Sequence, residues 1–150
     1  MSAAHRKVVV SACLLGARCR YDGRGQDHAG VREALQDAEV IAVCPEQLGG
    51  LDTPRPPSEF RDGTGDALLN KKARIVGRDD GVDRIDAFLQ GAERALAAAE
   101  GATSAILKAR SPSCGYQRTW REGQVVDGHG VFAALLNRAG LTIRTEEDFD

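Results

Sequence analysis

Three short apolar runs along the chain each lead into an irregular loop that contains glycine or proline. They are residues 7–13 (KVVVSAC), 40–44 (VIAVC) and 104–109 (SAILKA). Short runs of β-branched and other apolar side chains are typical of strands that are buried on both faces of a parallel sheet. We therefore predict three β-strands, each with a cysteine at or just beyond its end.

Helical periodicity separates these predicted strands. Residues 83–99 place apolar side chains three, four and seven positions apart, with Asp83 as the expected N-cap and Gly101 as the stop. Residues 129–139 repeat this pattern, residues 31–38 show a shorter version, and residues 141–145 form a last predicted strand. Residues 120–128 are expected to form a small hairpin centred on Glu122 and Gly123.

The alternation of strands and helices predicts the α/β class, with a mainly parallel sheet and flanking helices in a single domain over residues 1–150. Ligands of open parallel sheets bind beyond the carboxyl ends of the strands. If the three strands are parallel neighbours, the loops of Cys13, Cys44 and Cys114 meet at that edge of the sheet. The prediction therefore brings together three thiols that are distant in sequence.

Composition narrows the class of ligand. Apolar residues make up 42% of the chain and charged residues 28%. Because the formal charge is −2, the chain as a whole does not attract nucleic-acid polymers or acidic membranes electrostatically. No stretch approaches the ~20 apolar residues of a membrane span. The apolar run before Cys13 covers only residues 8–10, and such a run is too short to be the apolar region of a signal peptide. We expect a cytoplasmic location; no feature indicates an oligomeric state.

The four cysteines allow several kinds of chemistry. They are too few for a disulfide scaffold, and buried inert thiols are the simplest alternative. A structural zinc site needs four ligands, usually in closely spaced pairs, and no C-x-x-C redox pair is present. An iron–sulfur cluster can use thiolates that are distant in sequence, and three of them leave one iron open to a soft ligand. The spacing alone leaves these alternatives open.

Three ordered blocks carry a more specific signal. They are residues 11–23 (SACLLGARCRYDG), 44–51 with 53–59 (CPEQLGGL and TPRPPSE), and 107–115 (LKARSPSCG). Together they resemble the signatures of the DUF523 family, whose characterised members are thiouracil desulfidases. The resemblance extends from about residue 7 to residue 146.

This resemblance implies a [4Fe-4S] cluster held by Cys13, Cys44 and Cys114, with one iron open to the substrate sulfur. Cys19 is interpreted as a neighbouring thiol rather than a fourth ligand. The implied reaction is a non-redox, hydrolytic desulfuration of 4-thiouracil or 4-thio-UMP that yields uracil or UMP and hydrogen sulfide. The implied partner is a small thiolated pyrimidine or its nucleotide.

Candidate residues for the chemistry lie in the same blocks. Glu46 is the expected general base because it follows Cys44 closely, and the hydroxyls of Ser111 and Ser113 are expected to relay a proton or hold the ring. Gly49, Gly50 and Gly115 are expected to allow backbone to approach the cluster. The candidates for substrate binding are Arg20, Asp22, Arg55 and Lys108.

Positive charge supports an anionic substrate. Residues 16–24 carry three arginines against one acid, and residues 108–121 carry four basic residues and no acid. Because arginine binds phosphate with two parallel hydrogen bonds, a nucleotide is favoured over the free base.

Two other function classes remain open. One is a non-catalytic metal or redox sensor that uses the same thiols. The other is a cysteine-nucleophile hydrolase based on Cys13, for which none of His5, His28 and His129 has a convincing position as the activating base.

Overall fold

The computed structural model describes residues 6–150, and His5 therefore lies outside the described residues. The elements, in chain order, are β1 (Arg6–Ser11), α1 (Ala29–Ala34), β2 (Ala38–Val43), α2 (Pro45–Leu48), β3 (Ser58–Arg61), α3 (Gly65–Leu69), β4 (Arg74–Gly77), α4 (Ile85–Ala98), β5 (Ser104–Leu107), β6 (Arg118–Arg121), β7 (Gln124–Asp127), α5 (Val131–Arg138) and β8 (Thr142–Thr145). Short 3-10 turns cover Ala12–Leu15 and Glu146–Phe149.

The first sheet is entirely parallel, in the order β2-β1-β5-β8. Val9 in the central strand β1 lies opposite Ile41 of β2 on one side and Ala105 of β5 on the other. The three predicted strands are thus parallel neighbours, and the predicted α/β fold is confirmed. All three strands end earlier than predicted, at Ser11, Val43 and Leu107.

The second sheet is mixed, in the order β4-β3-β6-β7. Strands β6 and β7 form the predicted hairpin, and its turn at Glu122 and Gly123 has positive φ at both residues. Strand β3 runs antiparallel to β4 and parallel to β6. The periodicity analysis missed β3 and β4, because both are only four residues long and carry charged side chains.

The helices differ from the prediction mainly at their ends. Helix α4 begins at Ile85 with Arg84 at the N-cap position. The Asp83 N-cap prediction is therefore wrong, although the Asp83 carboxylate accepts the Ile85 N–H at 2.8 Å. Helix α1 stops at Ala34 rather than Ala38, because the backbone at Ala38 already pairs with β1.

Two apolar clusters enclose the first sheet. Val9 faces a large cluster that joins both sheets to α4 and α5, with Phe60, Phe88 and Phe132 fully buried within it. The neighbouring Val8 and Val10 face a smaller cluster with α1. Strand β1 is thus buried on both faces. The described helices include none that is long and apolar enough to cross a membrane.

Candidate active site

A cavity of about 440 Å³ opens at the carboxyl edge of the first sheet, and all four cysteines line it. Cys13 lies in the 3-10 turn after β1, and Cys19 lies in the loop that follows. Cys44 is the N-cap residue of α2, directly after β2, and Cys114 lies in the loop after β5. We call this space the cysteine cavity. It confirms that the cysteine loops lie at the carboxyl ends of the strands.

Helix α2 holds Cys44 in place by packing unusually close to α4. A Cβ atom on Gly91 of α4 would overlap the carbonyl oxygen of Pro45, and one on Gly49 would overlap the carbonyl oxygen of Ala87. Two helix backbones can meet this closely only where a residue has no side chain. Gly49 thus serves the contact with α4, and its approach to a cluster stays a prediction.

Gly115 and Gly50 each have a local conformational role. A Cβ on Gly115 would lie 2.7 Å from the carbonyl oxygen of Ser111 and 2.6 Å from that of Arg118. Gly115 therefore allows its own loop to fold tightly. Gly50 has a φ of 88°, in the left-handed region that favours glycine, and the space around its Cβ position is open.

The thiols of the cysteine cavity are free, and that of Cys19 contacts two of the others. The Cys19 thiol forms hydrogen bonds with those of Cys13 and Cys44, and its contact with Cys13, together with burial, raises the pKa of Cys19 to about 11. The contact with Cys19, followed by burial, raises the pKa of Cys44 as well. Burial raises the pKa of Cys114 to about 12. Without a bound cation, these three thiols therefore stay protonated at neutral pH.

This donor set fits an iron–sulfur cluster. Cysteine thiolates are the usual ligands of such clusters, and metal binding displaces the thiol protons. Within residues 6–150, no group of three histidine, cysteine or acidic side chains is arranged to hold a single metal ion. The ligands of a cluster bind different irons, so they need not converge on one point.

Glu46 lies at the wall of the cysteine cavity with both carboxylate oxygens engaged. Oε1 accepts a hydrogen bond from Arg55 Nε at 2.9 Å, and Oε2 accepts one from Ser113 Oγ at 2.9 Å. Ser111 Oγ lies 3.0 Å from Ser113 Oγ and accepts the backbone N–H groups of Ser113 and Cys114. The structure thus brings together Glu46, Ser111 and Ser113, the three residues predicted to carry catalysis.

Arg55 is the most constrained of the residues predicted to bind substrate. Its side chain is 5% exposed and donates to Glu46, to Thr53 Oγ1 and to the carbonyl oxygens of Asp52 and Cys19. The guanidinium therefore fixes the orientation of Glu46 relative to the Cys19 loop.

The other three residues predicted to bind substrate differ in whether they line the cysteine cavity. Arg20 and Lys108 line the cysteine cavity. Asp22 is not among its lining residues, and its carboxylate instead accepts the Arg24 N–H at 3.0 Å. The structure therefore gives Asp22 a role in the turn of its own loop.

Glu146 is a buried residue near the site that sequence analysis missed. Its carboxylate is 4% exposed, lies 3.0 Å from Lys108 Nζ and accepts the Ala109 N–H at 2.7 Å. It begins the acidic C-terminal segment, which has the composition of a solvated tail. Its position just after the last parallel strand, β8, was the signal that could have identified it.

The other lining residues that were missed as site residues include Tyr21, Arg78 and Trp120. The described histidines lie elsewhere. His28 pairs with Asp150, while His129 stacks on Tyr116 and accepts the Gln117 N–H. A cysteine nucleophile would therefore find no imidazole base among the described residues that line the cavity.

Comparison with known proteins adds independent information. The family model described as 2-thiouracil desulfurase matches residues 8–148. The chain belongs to this family. The resemblance to DUF523 proteins is thus confirmed.

Two relatives are similar over almost their whole length. The uncharacterized protein YbbK of Bacillus subtilis (strain 168) is 39% identical over 149 residues, which cover 95% of this chain and 97% of YbbK. The solved structure of the [4Fe-4S]-dependent thiouracil desulfidase TudS (DUF523Vcz) is similar with a TM-score of 0.79 at 38% identity. That similarity covers 95% of this chain and 92% of TudS.

Proposed function

We propose that this protein is an iron–sulfur-dependent desulfidase of thiolated pyrimidines. The observation that carries the proposal is the convergence of Cys13, Cys44 and Cys114 with Glu46 in one cavity. Family membership and the similarity to TudS support it. In the proposed reaction, 4-thiouracil or 4-thio-UMP reacts with water, and a carbon–oxygen double bond replaces the carbon–sulfur double bond of the thiocarbonyl. The sulfur leaves as hydrogen sulfide with both protons of the water, and no electron is transferred.

Cys13, Cys44 and Cys114 are the proposed ligands of a [4Fe-4S] cluster, because they come from three neighbouring strands. Cys19 remains a neighbouring thiol. When bound, the cluster supplies a Lewis-acidic iron that prefers the soft sulfur of a thiocarbonyl and makes its carbon more electrophilic. Because the four thiols are free, the reducing cytoplasm remains our predicted location.

Glu46 is the proposed general base for the attacking water. A base must lie within hydrogen-bond reach of the proton that it removes and must keep a fixed orientation. Arg55 holds one carboxylate oxygen of Glu46, and the other contacts Ser113. Ser113 and Ser111 can then carry the proton along the wall of the cavity, since their hydroxyls are 3.0 Å apart.

The size and charge of the cavity match a small anionic ligand. Its volume of about 440 Å³ lies within the range of about 300–1,000 Å³ that is usual for small-molecule sites. Arg20, Arg55, Arg78, Lys108 and Arg110 line it, against Glu46 and Glu59. A thiolated pyrimidine nucleotide is therefore our preferred substrate within this class.

Anaerobic purification followed by two measurements tests the proposal. Iron and acid-labile sulfide are measured per chain, and 4-thiouracil and 4-thio-UMP are assayed for loss of thiocarbonyl absorbance and for sulfide release. We expect a coloured protein that forms one sulfide per oxo-pyrimidine. A colourless protein without iron or sulfide release would contradict the proposal.

Two other outcomes identify the alternatives. A loaded cluster without turnover indicates a metal or redox sensor. Turnover by iron-free protein indicates a cysteine-nucleophile hydrolase.

A further inference from the structure

The cations of the cysteine cavity differ in how fully carboxylates neutralise them. Arg55 pairs with Glu46, and Lys108 pairs with the buried Glu146. Arg110 pairs with Glu147 at 2.7 Å. These three cations therefore offer a ligand little positive charge that is not already compensated.

Arg20 and Arg78 are different. The guanidinium of Arg78 is 3.9 Å from Asp79, in a pair whose two side chains are well exposed, and such pairs contribute little. For Arg20, the described part of the chain provides no carboxylate partner. Arg20 comes from the loop after β1 and Arg78 follows β4, so each sheet supplies the cavity with one guanidinium that no carboxylate neutralises strongly.

Two exposed aromatic side chains share this cavity. Trp120 on β6 is 39% exposed and Tyr21 is 41% exposed, although both line the cavity wall. Thr119, the neighbour of Trp120 on the strand, is fully buried. Because successive side chains of a strand point to opposite faces, Trp120 points away from the side that Thr119 faces. A large aromatic ring that is left exposed in a concave site is well suited to stack on a planar ligand.

We propose that Trp120 stacks on the pyrimidine ring and that Arg20 and Arg78 bind the phosphate, so that these residues select a thiolated pyrimidine nucleotide over its free base. This inference rests on the proposed function and assigns its recognition residues. Guanidinium groups bind phosphate oxygens through charge-assisted and often bidentate hydrogen bonds. Two of them from separate loops would surround such a group more completely than either one alone.

The kinetic test compares two substrates on the cluster-loaded enzyme. The specificity constant kcat/KM is measured with 4-thio-UMP and with 4-thiouracil. Arg20→Ala and Arg78→Ala are each expected to lower the nucleotide-to-base ratio of kcat/KM by tenfold or more, because only the nucleotide carries the phosphate. Arg118→Ala is the matched control, since Arg118 is exposed on the same strand as Trp120 and lies outside the cavity lining.

Variants of Trp120 separate the two parts of the proposal. Trp120→Leu is expected to lower kcat/KM for both substrates and to leave their ratio unchanged, because both contain the ring. Trp120→Phe should restore most of the loss, since it keeps an aromatic face. Iron content and melting temperature are measured for every variant. An unchanged ratio in both arginine variants, with iron content intact, would overturn the phosphate assignment.

A binding measurement is independent of turnover. Trp120 is the single tryptophan of the chain, so its fluorescence in the cluster-loaded protein reports directly on the cavity. UMP is expected to change this signal at a lower concentration than uracil, and Arg78→Ala should reduce the difference. Equal binding of UMP and uracil would disprove the inference. If UMP binds as expected but neither thiolated compound is desulfurated, the proposed reaction fails and the recognition residues stand.

Discussion

Ser113 donates a hydrogen bond of 2.9 Å to the Glu46 carboxylate, although the two residues are 67 positions apart in sequence. This contact joins helix α2, which directly follows β2, to the loop after β5 at the carboxyl edge of the first sheet. Each of the two segments also carries a cysteine of the cavity, Cys44 at the N-cap of α2 and Cys114 in the loop. The groups proposed to bind sulfur and to move protons are therefore held by the same two segments.

Glu46→Gln should abolish most turnover and leave the fold and the cluster in place. The amide keeps the size of the side chain and an oxygen for Arg55, but it cannot accept a proton. General-base catalysis typically contributes a factor of about 10²–10⁴, and we expect kcat to fall by that factor. Turnover of 4-thiouracil is measured together with iron content, and Glu93→Gln on the exposed side of α4 is the control. Full turnover with intact iron would show that Glu46 is not the base.

The four cysteines should respond differently to replacement by alanine. Cys13→Ala, Cys44→Ala and Cys114→Ala are each expected to lose the cluster, because each removes a proposed ligand. Cys19→Ala should keep it, although Cys19 contacts Cys13 and Cys44. Iron and acid-labile sulfide per chain, measured without air, decide the outcome. If all four variants lose iron, the assignment of three ligands is wrong.

The sequence predicted the edge of the sheet where chemistry lies, because three apolar runs each lead to a cysteine. Buried parallel strands have a strong local signature in β-branched side chains, and their carboxyl ends meet at one edge by geometry. The same reasoning could not find β3, whose register depends on partners distant in sequence. Strand β3 pairs with β6 at a single position, Phe60 with Arg121, and no local pattern specifies such a contact.

Side-chain partners were the part of the site that the sequence did not specify. Arg55 was expected to face substrate, but it donates to four acceptors of its own chain. Asp22 lies in the same sequence block as Cys19, yet its carboxylate binds the Arg24 backbone. Arg78, in a turn with two aspartates, gave no local sign that it lines the cavity. These outcomes depend on how loops pack, which periodicity does not describe.

Gly91→Ala should displace α2 from α4 and thereby disturb Cys44. The added methyl group would overlap the carbonyl oxygen of Pro45, and overpacking of this kind costs about 1–3 kcal/mol. We expect the free energy of unfolding to fall by that amount and iron loading to decrease. Urea unfolding and iron analysis measure the two effects. Gln90→Ala, an exposed change on the same helix, is the control and should preserve both, so equal effects in the two variants would argue against the helix contact.

Glu146→Gln should destabilise the protein by leaving the Lys108 ammonium without its partner. The Glu146 carboxylate is 4% exposed and lies 3.0 Å from Lys108 Nζ. Removing one member of a buried pair costs about 3–5 kcal/mol in the free energy of unfolding. Glu147→Gln, which breaks the exposed pair with Arg110, should cost about 0–1 kcal/mol.

A double variant identifies the cause of that loss. In Lys108→Met with Glu146→Gln, the unpaired ammonium is gone and the glutamine oxygen can still accept the Ala109 N–H. Urea unfolding of this variant should therefore recover most of the stability that Glu146→Gln loses. If the double variant is as unstable as Glu146→Gln alone, the loss comes from the loop after β5 rather than from the buried charge.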